Sequence, residues 1–479
     1  MTTKTRQAKL WGGRFSRPTD ARVEAFTESL SFERRLAPYD IEGSCAHAAM
    51  LGSIGVLTKA ETVRIVNGLR AVGRDIAAGI VKFKAEWEDI HMAVETILTA
   101  RIGPTAKKLQ TGRSRNDQVA LDERLYLRDI LAHTAGQIGA LQRALVALAD
   151  KNSALVIPGF THLQYAMPVL AAHHLLSYVE MLERDKQRLE DQWRRVNVMP
   201  LGSAALAGSG IPLDRAYVAR ALNFDGVSAN SMDAVGDRDY LVEFLSAAAI
   251  IGMHLSRLCE DMILWVSQPF GFIDIGDAFC TGSSLMPNKK NPDTLELVRG
   301  KCGRLYGNLV SLLTVMKGLP MTYNRDMQED KEPVFDSADT LLASLALMAA
   351  LVPTIVFNKE RIARTVSDDF LLATDWTDHL VKEGVPFREA HEMVGKAVAR
   401  ASARKCGLTE LTAGDLKELS PKFDRGVLAI RTLQKSVEAK CTLGSTNPSM
   451  VKAAIQQWKK KLGTCTERAT SPAKSKLGK

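Results

Sequence analysis

The sequence predicts an all-α protein whose centre is a bundle of long helices. Five segments, one carried by Leu121 to Leu148 as far as about Asp150 and four over about 168–197, 232–266, 292–318 and 332–356, place apolar residues at helical spacing. At ~25–35 residues each, they would span roughly 40–50 Å. The 232–266 and 332–356 segments are apolar nearly all round, which in a soluble chain means burial on every side. One chain can hardly cover so many apolar faces, so a homo-oligomer is expected.

The first domain, residues 1–112, mixes shorter helical patterns with loops. Asp40 to Leu51 and Thr58 to Ala77 read as helices, the second opened by a Thr58/Glu61 capping box. Ile90, Val94, Ile97 and Leu98 predict a helix between Lys84 and Ala100, with Glu88, Asp89 and His91 near its N-terminus. Thr111 to Asp117 is a polar loop leading into the first long helix, and the central domain is read as 113–365. Its joints are polar: Pro158 to Gln164 ahead of a helix opening at Pro168, the small-residue loop Leu201 to Gly208, and Met321 to Lys331. Small residues there allow close backbone approach. Shorter helices over 366–463 form a C-terminal domain, and 464–479 is a basic tail expected to be disordered.

Composition narrows the function classes. Of the net charge of +9, residues 459–479 supply +6, so the basic excess is mostly a tail and no nucleic-acid surface is expected. Seven scattered cysteines without a CxxC fit the reduced thiols of a cytoplasmic protein. The opening MTTKTRQAKLWGG lacks the apolar stretch of a secretory signal. The apolar run Thr340 to Phe357 contains Pro353 and follows Asp336 and Asp339, so it reads as a core helix rather than a membrane span. With no HExxH, EF-hand spacing or Cys/His cluster, no metal is expected. With no P-loop, and no GxGxxG after a strand, neither is a nucleotide cofactor.

The richest chemistry lies in Gly282-Ser283-Ser284-Leu285-Met286-Pro287-Asn288-Lys289-Lys290-Asn291-Pro292. Its glycine, hydroxyls and prolines keep it out of regular structure, and Pro292 suits the first turn of the next helix. Lysines just ahead of a helix N-terminus can hold a carboxylate. Removing a proton beside a carboxylate requires a base, cations or N–H donors on that carboxylate, and an acid for the leaving group. Lys289, Asn291, Asn116, Arg115 and Thr161 are residue types such a site recruits. Serine becomes a base only if loop closure, N–H groups and a nearby cation lower its pKa. His162 sits in a Gly/Pro-punctuated loop, and Glu296, one turn into the helix after the serine loop, could orient its imidazole.

The Gly282–Pro292 stretch resembles the GSSxMPxKxNP signature of the fumarase/aspartase superfamily, which eliminates fumarate from succinyl-containing substrates. Trp11 to Phe15, Glu88 to His91, Gly112 to Asp117, Thr161 to Gln164 and Tyr323 to Lys331 extend the similarity over nearly the whole chain. The Ser114-Arg115-Asn116-Asp117 wording resembles the superfamily's argininosuccinate lyase branch. The resemblance implies Ser283 as the base, Lys289 and Asn291 on a substrate carboxylate, and His162 with Glu296 in proton transfer. It implies Ser29, Asn116, Thr161, Tyr323, Gln328 and Lys331 as substrate-binding positions, with Asp89, His91 and Arg115 contributing. It also implies three mostly helical domains, with a central five-helix bundle forming a twenty-helix core in a tetramer, and active sites drawing on three subunits. Met167 and Asn288 stand where the family usually has glutamine, and neither change removes a catalytic group. The expected reaction is reversible elimination of fumarate from argininosuccinate, giving arginine. Two other readings stay open: a sister lyase acting on adenylosuccinate, malate or aspartate, and a non-catalytic crystallin-like structural protein.

Overall fold

The computed structural model describes residues 19–367, 369–423 and 426–469. The Trp11–Phe15 motif and the tail beyond Ala469 lie outside them. Five long helices form the bundle: α1 Arg115–Lys151, α2 Ala171–Val196, α3 Asp239–Val266, α4 Asp293–Met316 and α5 Lys331–Leu351. The 28 residues of α3 span roughly 40 Å. α1 packs on α2 and α5, and α3 on α4, α2 and α5. Capping boxes open α1, through Ser114 and Asp117, and the Lys59–Ala77 helix, through Thr58 and Glu61.

One apolar cluster fills the bundle, with Leu121, Leu145, Leu182, Phe244, Ile251, Leu305 and Leu341 among its buried members. A second cluster, around Trp376, Met393, Val394 and Leu416, is a separate core in the C-terminal region. The last helix, Pro448–Ala469, returns from that region to the bundle. Val451, Ile455 and Leu462 join the first cluster, Trp458 Nε1 donates to Glu180 at 3.1 Å, and Lys461 Nζ to Glu183 at 2.7 Å. This helix runs past Thr464 into the stretch that composition alone reads as tail.

Three boundaries differ from expectation. Pro168 does not open a helix: Val156–Thr161 pairs antiparallel with Gln164–Leu170, and α2 begins at Ala171. Val156, Ile157, Phe160 and Thr161 favour extended backbone, and Gly159 permits the close pairing because a Cβ there would sit 2.8 Å from the Met167 carbonyl oxygen. The run to Phe357 breaks at Pro353 into α5, a 3₁₀ turn Val352–Thr354 and a strand Val356–Phe357 paired with Ile273–Asp274. The 232–266 segment divides into Ser231–Gly236 and α3. Two segments, Asp239–Val266 and Arg325–Thr354, are long and apolar enough to cross a membrane, and most of each apolar stretch is buried inside the fold, as in core helices.

Candidate active site

The N-terminal end of α1 gathers the first group of polar residues. Asp89 caps the Ile90–Ile102 helix by accepting from Met92 N at 2.6 Å, and its other oxygen lies 3.2 Å from Arg115 Nε. Ser29 N donates to the Glu88 carbonyl at 2.8 Å. Arg325 bridges the same place, donating to the Thr27 carbonyl at 2.5 Å and pairing with Glu88 at 3.2 Å. That contact brings the Tyr323–Lys331 segment against residues 27–29. Asn116 Nδ2 donates to the Ala205 carbonyl at 3.1 Å. Asp117 holds the small-residue loop beside it, accepting from Ser114 N at 2.9 Å, Gly202 N at 2.9 Å and Ala204 N at 2.8 Å. Burial nonetheless outweighs those three N–H donors and raises the Asp117 carboxyl to about 6. Asp117 and Arg325 carry this geometry and were missed by sequence reasoning. The capping-box spacing of Ser114 and Asp117 was the available signal for the first, and nothing local marks the second.

Two of the expected substrate-binding residues, His91 and Lys331, are buried beside carboxylates. His91 is buried and turned into the fold, its Nδ1 3.0 Å from Asp40 Oδ1 and 3.3 Å from Asp122 Oδ2. Burial favours the neutral Asp40, but the His91 hydrogen bond prevails and holds its carboxyl at about 2. Burial, reinforced by Asp40, pushes Asp122 well up. Asp40, His91 and Asp122 are close enough to share a metal ion, but the Arg113 and Arg115 charges already act on Asp122. Lys331 is only 2% exposed and surrounded by carboxylates: Asp330 at 2.9 Å, Glu123 at 3.0 Å and Glu33 at 3.9 Å. Burial opposes its charge, but these carboxylates win and raise its pKa. Arg238, fully buried, joins the lattice at 2.5 Å from Asp330 and 3.2 Å from Glu123. Both side chains are thus held within the chain by carboxylates.

The Thr111–Arg113 turn leading into α1 rests on buried His47, whose Nε2 lies 3.0 Å from the Thr111 carbonyl oxygen. Burial lowers the His47 pKa to about 3. The folded state thus prefers neutral His47, so its contribution is present above about pH 6.5 and lost as pH falls toward 3. The acid-end cost is on the order of 4 kcal/mol. His47→Gln keeps a donor toward Thr111 without titrating, so its urea midpoint is expected to fall less than wild type between pH 6.5 and 4. Parallel pH curves for the two proteins would refute this.

The remaining candidates lie at the other end of the bundle. His162 and Leu163 form a two-residue turn with φ +56° and +57°, which places the His162 side chain in solvent beside Thr161. Phe160 stacks against Phe270 and Phe272, just beyond the C-terminus of α3. The serine loop closes on its own short ladder, Thr281–Gly282 with Lys290–Asn291. Ser283 Oγ accepts from Leu285 N at 3.2 Å and Met286 N at 3.0 Å, and two N–H donors on one hydroxyl oxygen favour its deprotonated form. Lys289 and Glu296 are exposed, and His162 and Glu296 make no hydrogen bond to each other within the chain. One chain therefore brings Ser283, His162, Lys289, Asn291 and Glu296 to one end and Asn116, Ser29, Tyr323 and Gln328 to the other, about the length of α3 apart. Two large clefts, about 890 Å³ beside Arg431 and about 840 Å³ beside Asp336, are lined by none of them.

A long-helix bundle carrying a serine–lysine loop at one end and a capped Asn116 turn at the other defines a lyase of the fumarase/aspartase superfamily. Residues 13–307 match the Lyase family, and residues 370–438 match the Argininosuccinate lyase C-terminal family. The chain belongs to the argininosuccinate lyase family. It is 51% identical over 456 residues to the argininosuccinate lyase of Nitrosococcus oceani, covering 95% of this chain and 98% of that one. It is 52% identical over 462 residues to that of Thioalkalivibrio sulfidiphilus, covering 96% and 99%. Among solved structures, an EDDS lyase in complex with formate superposes with a TM-score of 0.80 at 28% identity, covering 91% of this chain and 88% of that one. The class II fumarase of Schistosoma mansoni gives a TM-score of 0.72, covering 86% and 95%, and its 18% identity speaks to the fold alone.

Proposed function

We propose that this chain catalyses the reversible elimination of fumarate from argininosuccinate, giving arginine, as a cytoplasmic homotetramer with sites shared between subunits. Ser283 takes the proton beside the succinyl carboxylate, and Lys289 and Asn291 stabilise the resulting carbanion. His162, oriented by Glu296 of another chain, assists proton transfer toward the departing guanidinium. Ser29, Asn116, Thr161, Tyr323, Gln328 and Lys331 bind the substrate, with Asp89, His91 and Arg115 contributing. The observation that carries this reading is the donor pair on Ser283 Oγ, which supports serine as a base. Sharing between subunits is supported by the separation of the two ends. It is also supported by the uncovered apolar side chains of α4, where Leu297, Tyr306, Val310 and Leu313 are exposed. Neighbouring bundles laid antiparallel on such a face would bring opposite ends together. Six free cysteines among the described residues support the cytoplasmic reading.

The test is fumarate absorbance after adding argininosuccinate, with adenylosuccinate, malate and aspartate in parallel. Release from argininosuccinate alone is expected. Release from another of the four moves the specificity to a sister lyase, and silence with all four from a folded tetramer favours the crystallin-like alternative.

A further inference from the structure

The serine loop carries two adjacent lysines, and the fold treats them differently. Lys290 Nζ donates to Asp274 Oδ1 at 2.9 Å and to the Ile275 carbonyl at 2.5 Å, and lies 2.8 Å from Asp277 Oδ1. Asp274 sits on the strand paired with Val356–Phe357, and its neighbours Ile273 and Ile275 are buried in the bundle core. The Lys290 ammonium thus ties the C-terminal stem of the loop to a rigid element. The other stem is held by the Thr281 hydroxyl on the Asp293 carboxylate and by Thr294 Oγ1 on the Phe279 carbonyl at 2.7 Å. Lys289 is exposed and pairs with no carboxylate among the described residues. Successive side chains on extended backbone alternate, so turning Lys290 toward Asp274 leaves Asn291 on the opposite side, with Lys289 on the turn that leads into this strand.

We infer that Lys290 is a positioning residue: its latch to Asp274, Asp277 and the Ile275 carbonyl presents Lys289 and Asn291 together to the substrate carboxylate. This rests on the reaction proposed above. The latch is screened, because the Asp274 and Asp277 side chains are 71% and 95% exposed. Its loss therefore misplaces the loop without unfolding the protein.

The experiment measures steady-state fumarate release and amide hydrogen exchange over residues 283–289 in the full-length protein, Lys290→Met and Lys290→Arg. Lys290→Met is expected to lower kcat roughly 10-fold with KM nearly unchanged, the scale of two exposed ion pairs and one hydrogen bond. The loop amides should exchange faster in it, and Lys290→Arg, which can still reach both carboxylates, should recover most of both properties. A raised KM at wild-type kcat would instead make Lys290 a substrate ligand and overturn the inference. Unchanged loop exchange in Lys290→Met would also overturn it. If the wild-type protein releases no fumarate, the reaction proposed above fails, while the exchange comparison still decides whether the latch holds the loop.

Discussion

Replacing Ser283 with alanine is expected to lower fumarate release from argininosuccinate by about 10²–10⁴-fold, the range assigned to a positioned base. Folding should be unaffected, because the residue lies on a surface loop and, among the described residues, its hydroxyl hydrogen-bonds only to the backbone N–H groups of Leu285 and Met286. Substrate binding should change little, since Lys289 and Asn291 remain. The geometry sharpens this into a mixing experiment. Ser283 and Asn116 stand at opposite ends of the bundle, so an Asn116→Leu chain should be equally inactive but defective at the other end. Dissociating the two inactive variants and reassembling them together should regenerate some sites with both residues intact, and activity should return. If mixed tetramers form and stay silent, the shared-site proposal is wrong.

The largest stability effect is expected at Arg238. Two buried cations, Arg238 and Lys331, face three buried carboxylates, Glu33, Glu123 and Asp330. The lattice joins the start of α3 to α1 and to the segment opening α5. Arg238→Met removes one cation and leaves Glu33, Glu123 and Asp330 sharing Lys331 alone, and the added uncompensated buried charge costs about 3–5 kcal/mol. Chemical denaturation should show a clearly lower midpoint, and Asp330→Asn in the same chain should recover part of the loss by removing one carboxylate. A wild-type midpoint for Arg238→Met would mean that water or a neighbouring group already neutralises the lattice.

Much of the architecture was legible in local pattern. Apolar periodicity gave the five bundle helices, and the Thr58/Glu61 spacing gave the start of Lys59–Ala77. The hairpin around His162 was not legible: Pro168 suits a helix start as readily as a strand, and only the pairing with Val156–Thr161 decides between them. Within the site, the residue types of the Ser283 loop announced carboxylate chemistry. What local sequence could not show was direction. His91 and Lys331 have the composition of ligand-facing groups, and local sequence did not show that Asp40 and Asp122 pair with the first, or that Glu123, far along the chain, joins the adjacent Asp330 on the second. Nor could it distinguish Lys289 from Lys290, since the difference is made by Asp274 and Asp277 across a turn.

The returning helix Pro448–Ala469 has a consequence for how the protein is made. It fills its place on α1 and α2 with Trp458, Ile455 and Leu462, although an independent core around Trp376 intervenes in the chain. A ribosome therefore makes Glu180, on α2, 278 residues before it delivers Trp458, its partner on the sealing helix. Until then the nascent bundle leaves the apolar surface that Ile455, Trp458 and Leu462 will cover open to solvent.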